Sequence, residues 1–293
     1  MSIKKVAFTF LALCSVFFLY RFCQSQTDGF SQNRILFPKQ MKVATTTPPL
    51  MLEKVLDQPF FYLGKGAQAY AFASEDGHYV LKFFRQGKAN HPLEPIAFVL
   101  PKQWKERLSA TVSKRKTRLD KEFASYRLAG GLLRKETGLL FLHLDPTSGF
   151  GKTITLYDKI GVKQQIDLDK VAFVLQKKAD LLYPTLERWV RCGEKDKAKQ
   201  ALTNLINLLE KRSKLGVYDK NPDLKTNFGF INTQPIQFDI GRFSIDFTRK
   251  DEAVYRDDLI RITDRLCKWL NSFAPELSEH LLAEVKKGET ACK

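Results

Sequence analysis

Phe60-Phe61-Tyr62-Leu63-Gly64-Lys65-Gly66-Ala67-Gln68-Ala69-Tyr70-Ala71-Phe72, then Tyr79-Val80-Leu81-Lys82-Phe83-Phe84 after a Glu75-Asp76-Gly77 turn, is the stretch on which the fold is decided. An apolar run breaks at two glycines spaced Gly-x-Gly and resumes as an alternating strand. A third strand then carries one cation among hydrophobic neighbours. Glycines at such a turn let backbone N–H groups approach a ligand closely, and those donors suit phosphate oxygens. Side chains alternate along a strand, so Lys82 shares a face with Val80 and Phe84. An ammonium on a mostly apolar face calls for an anionic partner, because an unpaired buried charge is expensive. Two readings follow: a nucleotide-binding hairpin, or an ordinary hairpin whose lysine snorkels to water.

The chain around this hairpin has 293 residues, enough for one large core or two small lobes, and its 44% hydrophobic and 12% aromatic content fits a folded protein. The net charge of +16, from 48 Lys+Arg against 32 Asp+Glu, favours acidic partners such as nucleotides, nucleic acid or anionic lipid. No dense array of basic and aromatic residues of the RNA-binding kind is present, so nucleic acid is not the expected partner. Cys14 and Cys23 lie in an N-terminal apolar segment, and Cys192, Cys267 and Cys292 are far apart. That pattern is not a disulfide framework, and the four scattered histidines lack zinc-ligand spacing.

Upstream, Lys4-Lys5 precede the apolar run Val6–Tyr20. As a helix it spans about 22 Å, short of a hydrocarbon core of about 30 Å unless Phe22 and Cys23 extend it. Residues 1–25 therefore read as a signal peptide or short membrane anchor, with membrane contact through residues 4–23 and a membrane-associated or exported protein as the expectation. Residues 26–57, with Thr45-Thr46-Thr47-Pro48-Pro49 at their centre, read as a linker.

Downstream, 86–101 reads as a loop broken by Pro92, Pro95 and Pro101. A basic helix is expected from about Gln103 to Ala129, with Leu119, Phe123 and Tyr126 on one stripe and Gly130-Gly131 stopping it. Strands are expected at 138–142, 154–157 and 171–175. Beyond Lys178 the pattern turns helical: Ala198, Leu202, Leu205 and Leu209 form one stripe, and Tyr255, Leu259, Ile262, Leu266 and Leu270 another. Between those helices, Asn227 and Asp239 stand at two strand ends separated by a hairpin, and both are oxygen donors of the kind a hard cation takes.

The order of these parts resembles the protein-kinase-like superfamily over roughly residues 58–270. Gly64-x-Gly66-x-x-Ala69-x-Ala71 resembles its Gly-rich loop, and Val80-Leu81-Lys82 its third-strand lysine motif. Glu122, in Lys121-Glu122-Phe123, resembles the helix glutamate that pairs with that lysine, with Glu106 as fallback. Gln176 to Lys178 resembles the hinge, Asn227 the catalytic-loop metal ligand, and Asp239-Ile240-Gly241 the metal-binding turn. The resemblance implies an α+β, bilobal kinase-like fold preceded by an N-terminal hydrophobic helix, with a strand-rich N-lobe at 58–178 and a helical C-lobe at 179–293. It implies ATP and Mg²⁺ as cofactors: Lys82 on the phosphates, Gly64, Gly66, Val80, Gln176 and Lys178 around the nucleotide, and Asn227 and Asp239 on the metal. It further implies phosphoryl transfer to a hydroxyl acceptor (protein, glycan or small molecule).

Three departures accompany it. Val217 and Tyr218 stand where histidine and arginine are usual, and Pro222 occupies the position of the catalytic aspartate, five before Asn227. Asp219, eight before Asn227, would then be the catalytic aspartate after a three-residue insertion, and Asp223 would be so after a deletion. No Ala-Pro-Glu segment follows Asp239. The rival expectations are a catalytically inactive nucleotide-binding module of the same fold, and a membrane-surface scaffold that uses the basic helix.

Overall fold

The alternation at 60–84 folds as it predicts, into consecutive antiparallel strands. The computed structural model describes residues 3–36, 44–45, 50–85 and 101–287, so the loop expected at 86–101 lies, but for Pro101, outside the described residues. The chain forms two units, Met1–Lys116 with His143–Val174, and Thr117–Leu142 with Leu175–Lys293. Its architecture is mixed, a strand-rich sheet and a set of helices, as an α+β class requires.

In the first unit α1 (Ile3–Gln26), the two-residue strand β1 (Ala44–Thr45) and α2 (Leu50–Leu56) precede β2 (Phe60–Lys65), β3 (Ala69–Ser74) and β4 (Tyr79–Phe84). On one face of this meander Tyr70, Phe72, Leu81 and Phe83 are fully buried. The other face pairs Ala73 with Val80, Ala71 with Lys82 and Ala69 with Phe84, so three alanines floor the space around Lys82. The short β6 (Thr147–Ser148) and the hairpin of β7 (Thr153–Tyr157) and β8 (Lys163–Asp167) follow. With β5 (Leu139–His143) and β9 (Phe173–Lys177), along which the chain passes from one unit to the other, the sheet order is β5-β9-β4-β3-β2-β7-β8.

The stretch 26–57, read as a linker, supplies buried residues to this unit. Phe30, Ile35, Leu52 and Leu56 are all buried. Phe30 packs edge-on to Tyr70 and Phe72 at 5.2 and 5.0 Å, and the Tyr70 hydroxyl donates to the Gly29 carbonyl at 2.6 Å. Leu52 and Leu56 share a face of α2, four residues apart, whereas Phe30 and Ile35 stand in no periodic run and are revealed only by their burial. α1 itself keeps its apolar side chains exposed, Phe8 at 74% and Phe18 at 69%. No helix among the described residues is long and apolar enough to cross a membrane, so the transmembrane reading of 1–25 gains no support.

α3 (Lys102–Leu132) corrects one expectation: it runs through Gly130-Gly131 instead of stopping there. A Cβ on Gly130 would lie 2.8 Å from Leu142 Cδ1 and 3.2 Å from Leu139 Cδ2. The glycine serves a close helix–strand approach within the second unit rather than a helix end. That unit continues with β10 (Asp180–Leu181), α4 (Leu182–Arg191), α5 (Lys195–Lys214), β11 (Val217–Asp219), β12 (Phe228–Ile231), β13 (Gln234–Gln237), β14 (Phe243–Ile245), α6 (Glu252–Asn271) and α7 (Pro275–Lys286). Both expected stripes are buried, Leu202, Leu205 and Leu209 of α5 joining Leu259, Leu266 and Leu270 of α6 in one core. Small sheets β10-β12-β13 and β11-β14 carry the intervening loops.

Candidate functional site

Gly64, Gly66, Val80 and Lys82 belong to the first unit. Gly66 N–H donates to the Ala69 carbonyl at 2.9 Å and closes the β2–β3 turn. Neither glycine has positive φ. A Cβ on Gly64 would meet nothing within 4 Å, and one on Gly66 only the Ala69 carbonyl at 3.6 Å. The fold therefore requires neither glycine, and both leave their backbone open to approach. Val80 is buried, while Lys82 is half-buried in the middle of β4.

Glu122, Gln176, Lys178, Asp219, Asn227 and Asp239 belong to the second unit. Three of them are knit into one turn system between β11 and β14. The Asn227 carbonyl accepts from the backbone N–H of Phe238 at 3.0 Å and of Asp239 at 3.4 Å, which sets the two residues side by side. Asn227 Nδ2 donates to the Asn221 carbonyl at 2.7 Å, and Asn221 N–H donates to Asp219 Oδ1 at 2.9 Å. Asn227 Oδ1 takes the Thr226 hydroxyl at 2.9 Å and has a second lone pair to offer. Asp239 is exposed, as β13 ends, and its Oδ1 accepts only the distant Gly241 N–H at 3.5 Å among the bonds described.

Asp219 is in a different situation, 2% exposed. Gln237 Nε2 donates to its Oδ2 at 2.5 Å, Arg212 Nη1 stands 3.9 Å away, and Arg212 in turn donates to Gln237 Oε1 at 2.8 Å. Burial pushes the Asp219 carboxyl above its ordinary range, against the pull of Arg212 and of its hydrogen bonds. Sequence reasoning missed Arg212 and Gln237. The available signal was Arg212 itself, a cation three residues beyond Leu209 on the buried stripe of α5. Asp223, the other candidate, is partly exposed and accepts from Lys225 N–H and the Thr226 hydroxyl, both at 3.0 Å.

Glu122 is buried in the second half of α3, and its Oε1 has no hydrogen-bond partner among the described residues. Burial pushes its carboxyl up to about 8; Arg118 opposes the shift and Asp239 adds to it. One turn along α3, the Ser125 hydroxyl donates to the Ile240 carbonyl and accepts from Phe243 N–H at 2.6 Å. This serine ties the helix that carries Glu122 to the Asp239-Ile240-Gly241 turn. Gln176 is buried in β9 with Nε2 on the Thr137 carbonyl at 2.9 Å; Lys178 follows the strand and is half-buried. Among the described residues no three His, Cys, Asp or Glu side chains group as a metal site. Asn227 and Asp239 instead offer a pair of hard oxygen donors, the number a cation such as Mg²⁺ takes from protein when substrate oxygens and water fill the remaining positions.

No family model matches the chain, and no curated protein matches it. Among solved structures it is similar to WbdD in complex with the kinase inhibitor LY294002, at 15% identity and a TM-score of 0.34, over 78% of this chain and 45% of that one. A second structure, of the bifunctional kinase-methyltransferase WbdD, gives 15% identity and a TM-score of 0.34 over 76% and 43%. The chain thus spans less than half the length of that protein. A TM-score this low carries no assignment of fold family.

Proposed function

We propose that the chain is a compact phosphotransferase of the protein-kinase-like kind, moving the γ-phosphoryl of Mg-ATP to a hydroxyl acceptor. The observation that carries the reading is the side-by-side setting of Asn227 and Asp239, two hard-oxygen side chains at the foot of a hairpin, one of them an exposed carboxylate. In this reading those two hold Mg²⁺, Gly64 and Gly66 admit the phosphates, Lys82 clamps them, and Glu122 positions Lys82. Val80 and the Gln176–Lys178 segment border the base, and Asp219 orients the acceptor. The alanine floor around Lys82 and the open backbone at both glycines support a bound ligand there. The enclosure of Asp219 by Arg212 and Gln237 favours a second reading, a nucleotide-binding module without transfer, because a base must reach its acceptor.

Thermal denaturation of the full chain tests both. At a hundredfold excess over Kd, Mg-ATP should raise the midpoint by about 5 °C, and Lys82→Ala and Asp239→Asn should each remove the shift. No shift in the unaltered chain discards nucleotide binding altogether. A shift without release of labelled phosphate to any acceptor or to water, unchanged by Asp219→Asn, selects the second reading.

A further inference from the structure

A cavity of about 770 Å³ is lined by residues of the second unit only, among them Pro235 and Ile236 of β13. That volume falls in the range of small-molecule sites, roughly 300–1,000 Å³. Four cations, Arg134, Lys135, Lys177 and Lys211, line it together with one carboxylate, Glu136. Lys211 pairs with Glu136 at 2.5 Å, and Arg134 donates to the Leu139 carbonyl at 3.3 Å and to that of Leu140. Those bonds hold two cations and the carboxylate in place as walls. Lys135 and Lys177 are exposed and enter no ion pair among the described residues. Between the cations the floor is apolar, from Leu139, Leu208, Pro235 and Ile236.

The geometry points to a binding site for an organic phosphate with a flat apolar body. The excess of positive charge suits a dianionic head better than a single carboxylate, and Lys135 and Lys177 are the groups available to meet it. The floor takes the apolar body, which inorganic phosphate lacks. Of its lining only Lys177 belongs to a segment assigned to the nucleotide, Gln176–Lys178; Lys135 and the apolar floor do not.

Calorimetric titration of the full chain with phenyl phosphate and with inorganic phosphate tests the site. Phenyl phosphate should bind at least about tenfold more tightly than inorganic phosphate, since burying a phenyl ring is worth more than the 1.4 kcal/mol that a factor of ten requires. Lys135→Glu with Lys177→Glu should weaken it by at least about tenfold, and the milder Lys135→Gln with Lys177→Gln should weaken it less. Lys82→Ala should leave phenyl phosphate binding intact, and Lys135→Glu alone, which lies outside the Gln176–Lys178 segment, should keep any Mg-ATP shift. Equal affinity for the two phosphates, or full binding in the charge-reversed chain, overturns the proposal. Loss in Lys82→Ala alone places the probe elsewhere and overturns it too, whatever becomes of nucleotide binding.

Discussion

Glu122 is a carboxyl group in a place that resists its charge. Among the described residues its Oε1 has no hydrogen-bond partner, and burial lifts its titration from an ordinary 4.5 to about 8. Between those two values the native state keeps a proton that the unfolded chain has released, so stability falls as pH rises through the window. Above it both states are ionised and the native state bears the whole cost; below it both are protonated and none of the cost remains. Glu122→Gln preserves the shape and cannot ionise, so it should flatten this dependence and leave the variant more stable at pH 8.5, by an amount on the order of a few kcal/mol. Urea titrations of both proteins at pH 5 and pH 8.5 measure the difference, and parallel losses in the two would refute the burial argument. Asn227 and Asp239 stand out in the sequence as oxygen donors at strand ends, whereas Glu122, set in the charged run Asp120-Lys121-Glu122, is marked only by the kinase-like resemblance. Gln237 does not stand out, and Arg212 shows only as a cation on the buried stripe of α5; the role of both depends on Asp219 being enclosed by them, and a one-dimensional pattern does not record enclosure.

At the scale of elements, glycine marks where segments touch. β12 crosses β10 so closely that a Cβ on Gly229 would stand 2.3 Å from the Asp180 carbonyl oxygen and 3.1 Å from Ala179 Cβ. Backbone cannot yield as a flexible side chain does, so Gly229→Ala should part β12 from β10 and destabilise the second unit by about 1–3 kcal/mol or more. Asn227 immediately precedes β12, and Asp239 follows its hairpin partner β13 by two residues. The same substitution should therefore weaken any Mg-ATP shift beyond what the stability loss explains. Amide exchange on β10 and β12 checks the first effect; unchanged protection there would show that the strands accommodate the methyl group. The helices α5 and α6 were legible from their stripes, because burial on one face imposes a 3.6-residue period whatever the partner. The end of α3 was not, because the same Gly-Gly signal serves a helix stop and a close approach, and only the position of Leu142 distinguishes them.

For the molecule as a whole, what belongs to a unit is set by burial rather than by composition. The polar stretch after α1 looks like a tether, yet Phe30 and Ile35 are 4% and 0% exposed, and Tyr62 and Tyr70 bond to Asp28 and Gly29 at 2.9 and 2.6 Å. α1, by contrast, keeps Phe8, Phe10, Leu11 and Phe17 in the open, with no side chain among the described part of that run fully buried. Two truncations separate these contributions. Removing 1–26 should leave the first unit's unfolding transition nearly unchanged, since none of the described side chains it takes away is fully buried. Removing 1–36 deletes two core side chains and strands the Tyr70 hydroxyl in a buried place, a loss of about 5 kcal/mol or more in that unit. Because the chain has two units, a single overall midpoint would mix them, so exchange protection of β3 and β4 is the proper readout. If both truncations protect those strands equally, the packing of Phe30 against Tyr70 and Phe72 adds nothing to stability, and the segment reverts to a tether. If the shorter truncation already exposes them, α1 stabilises the sheet by contacts its exposed face does not suggest, and its apolar residues would need a structural role in place of a membrane or partner surface.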